Sequence, residues 1–243
     1  MALEKTTTTP KKSISEISIL FHGLSKSGKT ALVNEFKTNG RTPYFITTED
    51  NHSHLESCTV KRIKNFLDLG KTITNLEANK EQLLKEHSCI VVDLACDVDE
   101  LAKDFVLASN NVKKILDIPF GDGFAQHRKH YRTAVRKLQA IMPVHFIAHS
   151  ELKSFVWQGK EVELYKPMMD KQNMAFLCGK VQAIGFFVPS GLAKGKSVLT
   201  FNEGNGVGLA GSHYSGLIRN FEIDHKNLGN TWAELNKAFL TKK

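Results

Sequence analysis

An eight-residue segment near the start of the chain has the residue types and spacing of a phosphate-binding loop. The pattern G-x-x-x-x-G-K-[ST] is matched without a departure by Gly23, Leu24, Ser25, Lys26, Ser27, Gly28, Lys29 and Thr30. The two glycines permit backbone conformations in which successive N–H groups turn toward phosphates. The N-terminus of the helix expected after the loop adds partial positive charge. The sequence therefore predicts that this loop binds a nucleotide.

Two side chains at the end of the loop complete this chemistry. We expect Lys29 to reach the β- and γ-phosphates of ATP, as a binding and catalytic cation, and the hydroxyl of Thr30 to ligate Mg²⁺. A chance match to the pattern in a chain of 243 residues has a probability of about one per cent. The alternative is a Gly-rich turn that carries an unrelated lysine.

An aspartate that follows an apolar segment is a second candidate. Residues 90–92 have the pattern of a buried strand, and Asp93 comes directly after them. At the carboxyl end of a parallel strand, a carboxylate points into the ligand crevice and can hold Mg²⁺ through water. The alternative is an aspartate that caps a loop. We expect the nearby Asp97, Asp99 and Glu100 to cap the next helix and make its first turn acidic.

Glu49 is the candidate for activating water. Hydrolysis requires a group that orients or deprotonates the attacking water. Glu49 follows the predicted strand 44–48, and we expect this strand to lie beside the phosphate-loop strand, so that the carboxylate faces the triphosphate. The alternative is a solvated acidic turn that includes His52 and His54.

His149 ends another apolar segment, residues 144–148. From the tip of such a strand, an imidazole can hydrogen-bond the γ-phosphate or the water and report the state of the nucleotide to the next loop. A structural histidine with its own partners is the alternative.

These candidates require a sheet that brings strand ends together. Alternating strands and helices up to residue 148 predict βαβ units and a mostly parallel sheet flanked by helices, which is an α/β fold. The predicted strands are residues 17–21, 44–48, 89–93 and 144–148, and the predicted helices are 29–37, 74–87, 97–109 and 125–141.

After residue 149 the pattern becomes that of an antiparallel C-terminal extension. We expect a hairpin over residues 155–165 with Gln158 and Gly159 at its turn, and a mobile Gly-rich loop over 204–216. Further predicted elements are a helix over 168–179, strands over 181–188 and 197–201, and a final helix over 231–239. Residues 1–14 are expected to be a flexible tail, and 15–243 one domain.

Composition restricts the class of protein. The hydrophobic fraction is 41% and the charged fraction 24%, both ordinary for a soluble domain. No apolar run approaches the roughly 20 residues that span a bilayer, and the polar start has no signal-peptide pattern. We therefore expect a cytoplasmic protein with no membrane partner. The four cysteines lack zinc-site spacing and are expected to be reduced thiols.

The formal net charge of +8 fits a nucleic-acid partner, or else a basic surface with no polyanion partner. Arg128 and Arg132 lie on the predicted basic helix, which is either a DNA-backbone or subunit contact or a solvated face. In the predicted hairpin, Lys153, Trp157 and Lys160 have the composition of a stacking-plus-cation surface for single strands. Simple hairpin packing is the alternative for these residues.

The order of these segments resembles that of a known family. The chain is similar to the phage RecA-like nucleotide-binding proteins, including the Sak-type annealing ATPases of phage recombination, over roughly residues 15–240. The segments that carry the resemblance are the phosphate loop, Thr48-Glu49, the strand ending at Asp93, Phe120-Gly121-Asp122-Gly123-Phe124, Phe146-Ile147-Ala148-His149-Ser150, Tyr165-Lys166-Pro167 with Met168-Met169, and Thr231-Trp232-Ala233-Glu234-Leu235.

The resemblance implies a RecA-like ATPase core that acts on single-stranded DNA as a homo-oligomer in the host cytoplasm. Phage single-strand-binding or replication proteins are the implied partners. Glu49 would be the catalytic carboxylate, Asp93 the aspartate on the Mg²⁺ side and His149 the sensor. The loops at residues 110–123 and 151–169 would face DNA.

The chain departs from the family pattern at one point. Family members often carry a Lys/Arg pair after the last strand, where a neighbouring subunit's cation reaches the phosphates. This chain has Gly211-Ser212-His213-Tyr214 there, with Lys194 and Lys196 as the substitutes. Two other functions remain open: a P-loop kinase for a nucleotide or small molecule, and an ATP-gated replisome interaction protein with little hydrolysis.

Overall fold

A computed structural model of the chain describes residues 11–50, 52–53, 55, 58–157, 160–188 and 196–241. Within these ranges the strands are β1 (Ile19–Gly23), β2 (Thr42–Thr47), β3 (Thr59–Arg62), β4 (His87–Asp93), β5 (Val144–Trp157), β6 (Lys160–Pro167), β7 (Ala183–Val188), β8 (Lys196–Thr200), β9 (Gly211–Ser212) and β10 (Asn220–Asp224). The α-helices are α1 (Lys29–Asn34), α2 (Phe66–Ala78), α3 (Lys80–Glu86), α4 (Ala95–Ser109), α5 (Asp122–Ile141), α6 (Lys171–Cys178) and α7 (Leu228–Leu240).

The strands form one mixed sheet in the order β10-β8-β7-β1-β5-β4-β2-β3. The six strands from β7 to β3 in this order run parallel, and β8 and β10 add antiparallel pairs at one edge. All seven residues of β4 are buried, because helices cover both faces of the sheet. The predicted α/β class, with a mostly parallel sheet and an antiparallel extension, is confirmed.

Two apolar cores lie on opposite faces of the sheet. On one face α1 and α7 pack against the strands through Leu32 and Leu235. On the other face α2, α4, α5 and α6 pack together, with Leu69, Val135 and Leu177 among the buried residues. This layering follows from the apolar stripe that each helix directs toward the sheet.

The sheet order corrects one expectation. We expected the strand before Glu49 to lie beside the phosphate-loop strand, but β5 and β4 separate β2 from β1. Chain order does not fix the order of strands in space, because a strand buried on both faces is compatible with several sheet positions. Glu49 therefore approaches the crevice from the strand beyond Asp93.

Several elements differ from the sequence-based expectation. β3 was missed because all four of its residues are exposed and include Lys61 and Arg62. The expected helix 74–87 is two helices that meet at Asn79. β10 was missed although its exposed and buried residues alternate, with Phe221 and Ile223 buried.

The region after residue 149 follows the predicted hairpin. The second half of β5 pairs with β6 from Ser150 opposite Pro167 to Trp157 opposite Lys160. The turn residues Gln158 and Gly159 lie outside the described residues. The expected loop at 204–216 contains β9, which pairs with the start of β7. No helix in the described ranges is long and apolar enough to span a membrane.

Candidate functional site

The parallel register brings the predicted residues to one edge of the sheet. Gly23 at the end of β1 is paired with His149 on β5. Asp93 at the end of β4 lies between Ile147 on β5 and Thr47 on β2. Because these strands all point the same way, their carboxyl ends form a single crevice. The phosphate loop, Asp93, His149 and the end of β2 before Glu49 therefore share one edge.

The loop between β1 and α1 has the backbone that its glycines permit. Gly28 precedes the first residue of α1 with φ of +87°, in the left-handed region that favours glycine. Lys26 also has positive φ, at 61°. The chain therefore turns sharply just before α1, which directs the helix N-terminus toward the crevice.

Lys29 lies inside the curve of this loop. Its side chain is almost fully buried, with 4% exposed. The ammonium Nζ donates hydrogen bonds to the carbonyl oxygens of Gly23 at 3.0 Å and Leu24 at 2.7 Å, and to Oγ of Ser27 at 3.2 Å. Oxygen atoms of a bound phosphate would compete with these three acceptors for the hydrogens of the ammonium group.

Burial lowers the pKa of Lys29 to about 8, and the nearby acidic groups Asp93 and Glu49 oppose this shift. At neutral pH the ammonium form is thus retained. The direct hydrogen-bond acceptors of this buried ammonium group are all neutral, so an anionic ligand that replaced them would stabilise its charge.

Asp93 is held between two groups from different parts of the chain. The hydroxyl of Thr30 donates to Oδ2 of Asp93 at 3.0 Å, and Nε2 of His52 lies 3.0 Å from the same oxygen. The second oxygen, Oδ1, is buried and has no hydrogen-bond partner among the described residues. His52 is itself buried, in contrast to the solvated turn that was its sequence-level alternative, and the sequence analysis missed this contact.

These residues fit a bound Mg²⁺. A buried carboxylate oxygen without a partner, next to a threonine hydroxyl, is an oxygen donor set of the kind that magnesium prefers. In the described part of the chain no group of three or more His, Cys, Asp or Glu side chains could hold a metal ion. Thr30 and Asp93 would therefore hold Mg²⁺ together with phosphate oxygens and water, as in nucleotide sites.

Glu49 and His149 lie within electrostatic reach of Lys29. Glu49 is half-buried, and its backbone N–H donates to Oγ1 of Thr47 at 3.0 Å. Burial and then Lys29 lower the pKa of His149, while Glu49, Asp97 and Asp93 oppose the shift. His149 is therefore neutral at pH 7. Its Nδ1 is buried and has no hydrogen-bond partner within the described ranges.

Of the acidic residues expected in the first turn of α4, Asp97 lies there as predicted and Asp99 does not. Asp97 accepts a hydrogen bond of 2.5 Å from Oγ1 of Thr48, which ties the end of β2 to α4. Asp99 is buried rather than a first-turn cap, because α4 begins at Ala95 and its second turn faces α5 and α6. Asp99 accepts hydrogen bonds from Nε2 of His127 at 2.9 Å and Nδ2 of Asn173 at 2.7 Å.

The residues predicted to contact DNA lie in two separate places. On α5, Arg132 donates to the carbonyl oxygen of Gln172 at 3.1 Å and stacks on Phe176 of α6, and Arg128 is one turn earlier. On the hairpin, Lys153 forms an ion pair of 2.9 Å with Glu151, and Lys160 is exposed. The side chain of Trp157 lies outside the described residues.

The segment 211–214, where the resemblance led us to expect a basic pair, is far from the phosphate loop in this chain. Gly211 and Ser212 form β9, which pairs with Ile184 and Ala183 at the amino end of β7. This is the sheet edge opposite Gly23. Lys196 does lie at the crevice edge, where it forms an ion pair with Glu222. Lys194 is outside the described residues.

The chain matches a known protein-family model over most of its length. The family model described as AAA domain matches residues 15–208, which is more than half of the chain. The matched segment begins before β1 and ends after β8, so it contains the phosphate loop, Asp93 and His149. No curated protein matches the chain.

Proposed function

We propose that this chain, which belongs to the AAA domain family, is a Mg²⁺-dependent ATPase whose nucleotide lies at the carboxyl edge of the sheet. The observation that carries the proposal is the convergence of three side chains. Lys29 is buried inside the phosphate loop, and Thr30, the next residue, is hydrogen-bonded to Asp93 at 3.0 Å. The loop that would bind phosphate and the two oxygen-bearing side chains that would bind the metal are thus adjacent.

Binding of the triphosphate would use the present backbone of the loop and would change the contacts of Lys29. The N–H groups of residues 24–30 and the N-terminus of α1 would bind phosphate oxygens. Lys29 would exchange its present carbonyl acceptors on Gly23 and Leu24 for the β- and γ-phosphates. This exchange replaces neutral acceptors by charged ones, which strengthens each hydrogen bond of the ammonium group.

Mg²⁺ when bound would neutralise charge on the β- and γ-phosphates. In this chain Thr30 and Asp93 would hold it, and Oδ1 of Asp93 is the oxygen with no competing partner in the described ranges. His52 would keep the carboxylate oriented through its contact with Oδ2. Because this contact with His52 fixes the Asp93 side chain, the metal position would depend on the loop that carries His52.

Hydrolysis would use the half-buried carboxylate of Glu49 to orient the attacking water and accept its proton. His149 would act as a neutral hydrogen-bonding group toward the γ-phosphate, because burial and the charge of Lys29 lower its pKa. A neutral imidazole can still donate through one nitrogen, so it can respond to loss of the γ-phosphate without carrying charge.

We further propose that the protein acts on single-stranded DNA as a homo-oligomer in phage recombination or replication. The net charge of +8 supports this, as does a cation cluster on the helical face. Arg132, Arg136 and Lys180 lie 5.2, 5.2 and 5.8 Å from the ring centroid of Phe176. None of the three cations is in an ion pair within the described ranges, so their charge is available to phosphates.

The test of the proposed function is ATP turnover with and without single-stranded DNA. Phosphate release that DNA stimulates supports the proposal. Phosphorylation of an added acceptor would identify a kinase instead, and tight ATP binding without turnover would identify an ATP-gated interaction protein. Each of these two outcomes overturns the hydrolase assignment.

A salt titration tests the DNA proposal separately. The double variant Arg136→Ala/Lys180→Ala should bind single-stranded DNA more weakly, with a slope of log affinity against log salt reduced by about 1 to 2. The matched control is Lys71→Ala/Lys85→Ala, since both lysines are exposed on α2 and α3. Equal affinities and slopes for the two double variants would place the DNA contact elsewhere.

A further inference from the structure

His225 packs directly against Gly28, the second glycine of the phosphate loop. A Cβ placed on Gly28 would lie 2.7 Å from Nδ1 of His225 and closer still to Cε1. A side chain at position 28 would force the imidazole to shift, so two observations favour glycine here. The φ of +87° at Gly28 favours glycine, and the imidazole occupies the volume that a side chain would need.

The imidazole of His225 is positioned by a side-chain contact with β8 and by the hydrogen bonds of the turn that carries it. Nε2 of His225 lies 3.0 Å from the hydroxyl of Ser197 at the start of β8. In the turn that follows β10, the N–H of Lys226 donates to Oδ1 of Asp224 at 2.9 Å, and the N–H of Asn227 donates to the Asp224 carbonyl at 3.0 Å. His225 is therefore a fixed contact on the loop.

Strand register places this contact at the nucleotide crevice. Gly23 is paired with Phe187 near the end of β7, and β8 returns antiparallel from that edge. Lys196 at the start of β8 is paired with Asp224 at the end of β10. The turn that carries His225 thus lies at the same edge of the sheet as the phosphate loop.

We propose that His225 is a positioning residue of the nucleotide site, which holds Gly28 so that the loop N–H groups stay directed at the phosphates. This inference rests on the proposed ATP-binding function. Removing the imidazole leaves space beside Gly28, and the loop then populates other conformations. The apparent affinity for ATP is then reduced in proportion to the fraction of molecules whose loop is in the binding conformation. The chemical step in the bound complex is unaffected.

Nucleotide binding and turnover of three variants test this assignment. His225→Ala should raise both the Kd and the KM for ATP about fivefold to tenfold, with kcat changed less than twofold. His225→Gln keeps a polar side chain that can reach Ser197, and should recover most of the affinity. Ser197→Ala, which removes only the anchoring hydrogen bond, should weaken binding less. His213→Ala is the matched control, because His213 is exposed beside β9 at the opposite edge.

Hydrogen exchange of the loop provides a measurement that needs no nucleotide. Amides of residues 24–30 should exchange faster in His225→Ala than in the wild type and in His213→Ala. Unchanged Kd and unchanged exchange would overturn the inference, as would a lower Tm with unchanged Kd in all three variants. A wild type that binds no ATP, combined with faster loop exchange in His225→Ala, would overturn the proposed function and support the contact.

Discussion

The hydroxyl of Thr30 lies 3.0 Å from Oδ2 of Asp93, although the two residues are 63 positions apart in the chain. One belongs to the first turn of α1 and the other ends β4, and β5 lies between β1 and β4 in the sheet. The contact joins the phosphate-binding element to the acidic strand end. It is the place where a cation bridging protein and phosphate oxygens would lie.

Thr30→Ala and Asp93→Asn should each weaken Mg²⁺·ATP binding by about tenfold or more, which is about 1.4 kcal/mol. Metal-free ATP should bind each variant nearly as it binds the wild type. The double variant should lose less than the sum of the two, because both residues serve one ion. Calorimetry with and without Mg²⁺ measures this. Thr133→Ala, at an exposed site on α5, is the control. Strictly additive losses would show that the residues do not share a metal.

Lys29→Ala should reduce ATP affinity by about a hundredfold or more. Within residues 23–30, Lys29 is the charged donor that is buried inside the loop, and hydrogen bonds from a charged donor are stronger than neutral ones. Lys26→Ala is the matched control within the same loop, since Lys26 is exposed. Fluorescence titration with a labelled ATP analogue distinguishes the two variants. Equal affinities for Lys29→Ala and the wild type would rule out the phosphate cradle.

Glu49→Gln should retain nucleotide binding and slow hydrolysis by about a hundredfold. This factor is at the lower end of the rate loss that follows removal of a general base. The amide keeps the size of the side chain and cannot accept the proton. Asp50→Asn is the control, since Asp50 is exposed and paired with Arg62. Phosphate release at saturating ATP is the measurement. Turnover at the wild-type rate in Glu49→Gln would remove Glu49 from the mechanism.

The buried His22 should make folding stability depend on pH. Its Nε2 donates to the Leu209 carbonyl and its Nδ1 accepts from Ser150, and burial lowers its pKa to about 4. Between pH 6.5 and about 4, the unfolded chain binds a proton that the folded chain does not. As the pH is lowered through this window, the free energy of unfolding therefore decreases, and His22 contributes about 3 kcal/mol to that decrease.

Urea denaturation at several pH values measures this contribution as the difference between the wild type and His22→Gln. The difference is needed because burial also lowers the pKa of His145, to about 3, which adds a loss of the same sign. The variant should lose less stability on acidification than the wild type. His213→Gln, at an exposed site, should behave as the wild type does. Parallel pH profiles for His22→Gln and the wild type would contradict the buried neutral histidine.

The elements that the sequence specified are those with local signals. The eight residues of the phosphate loop are contiguous, and Asp93 follows its apolar strand directly, so spacing alone was enough to predict a role for each. The hairpin was also predicted, since its alternation and turn lie within about twenty residues. Residues such as Ile223 on β10 carried a usable alternating pattern that was not recognised.

By itself, therefore, the sequence determined the α/β class and predicted a phosphate-binding loop, because backbone conformation and hydrophobic periodicity are encoded by neighbouring residues. Only the tertiary structure decided that β5 separates β1 from β4, that His52 contacts Asp93, and that His225 packs on Gly28. These relationships join distant parts of the chain. They depend on how buried strands are ordered in the sheet and on which turns meet at its edge, and no local pattern specifies either.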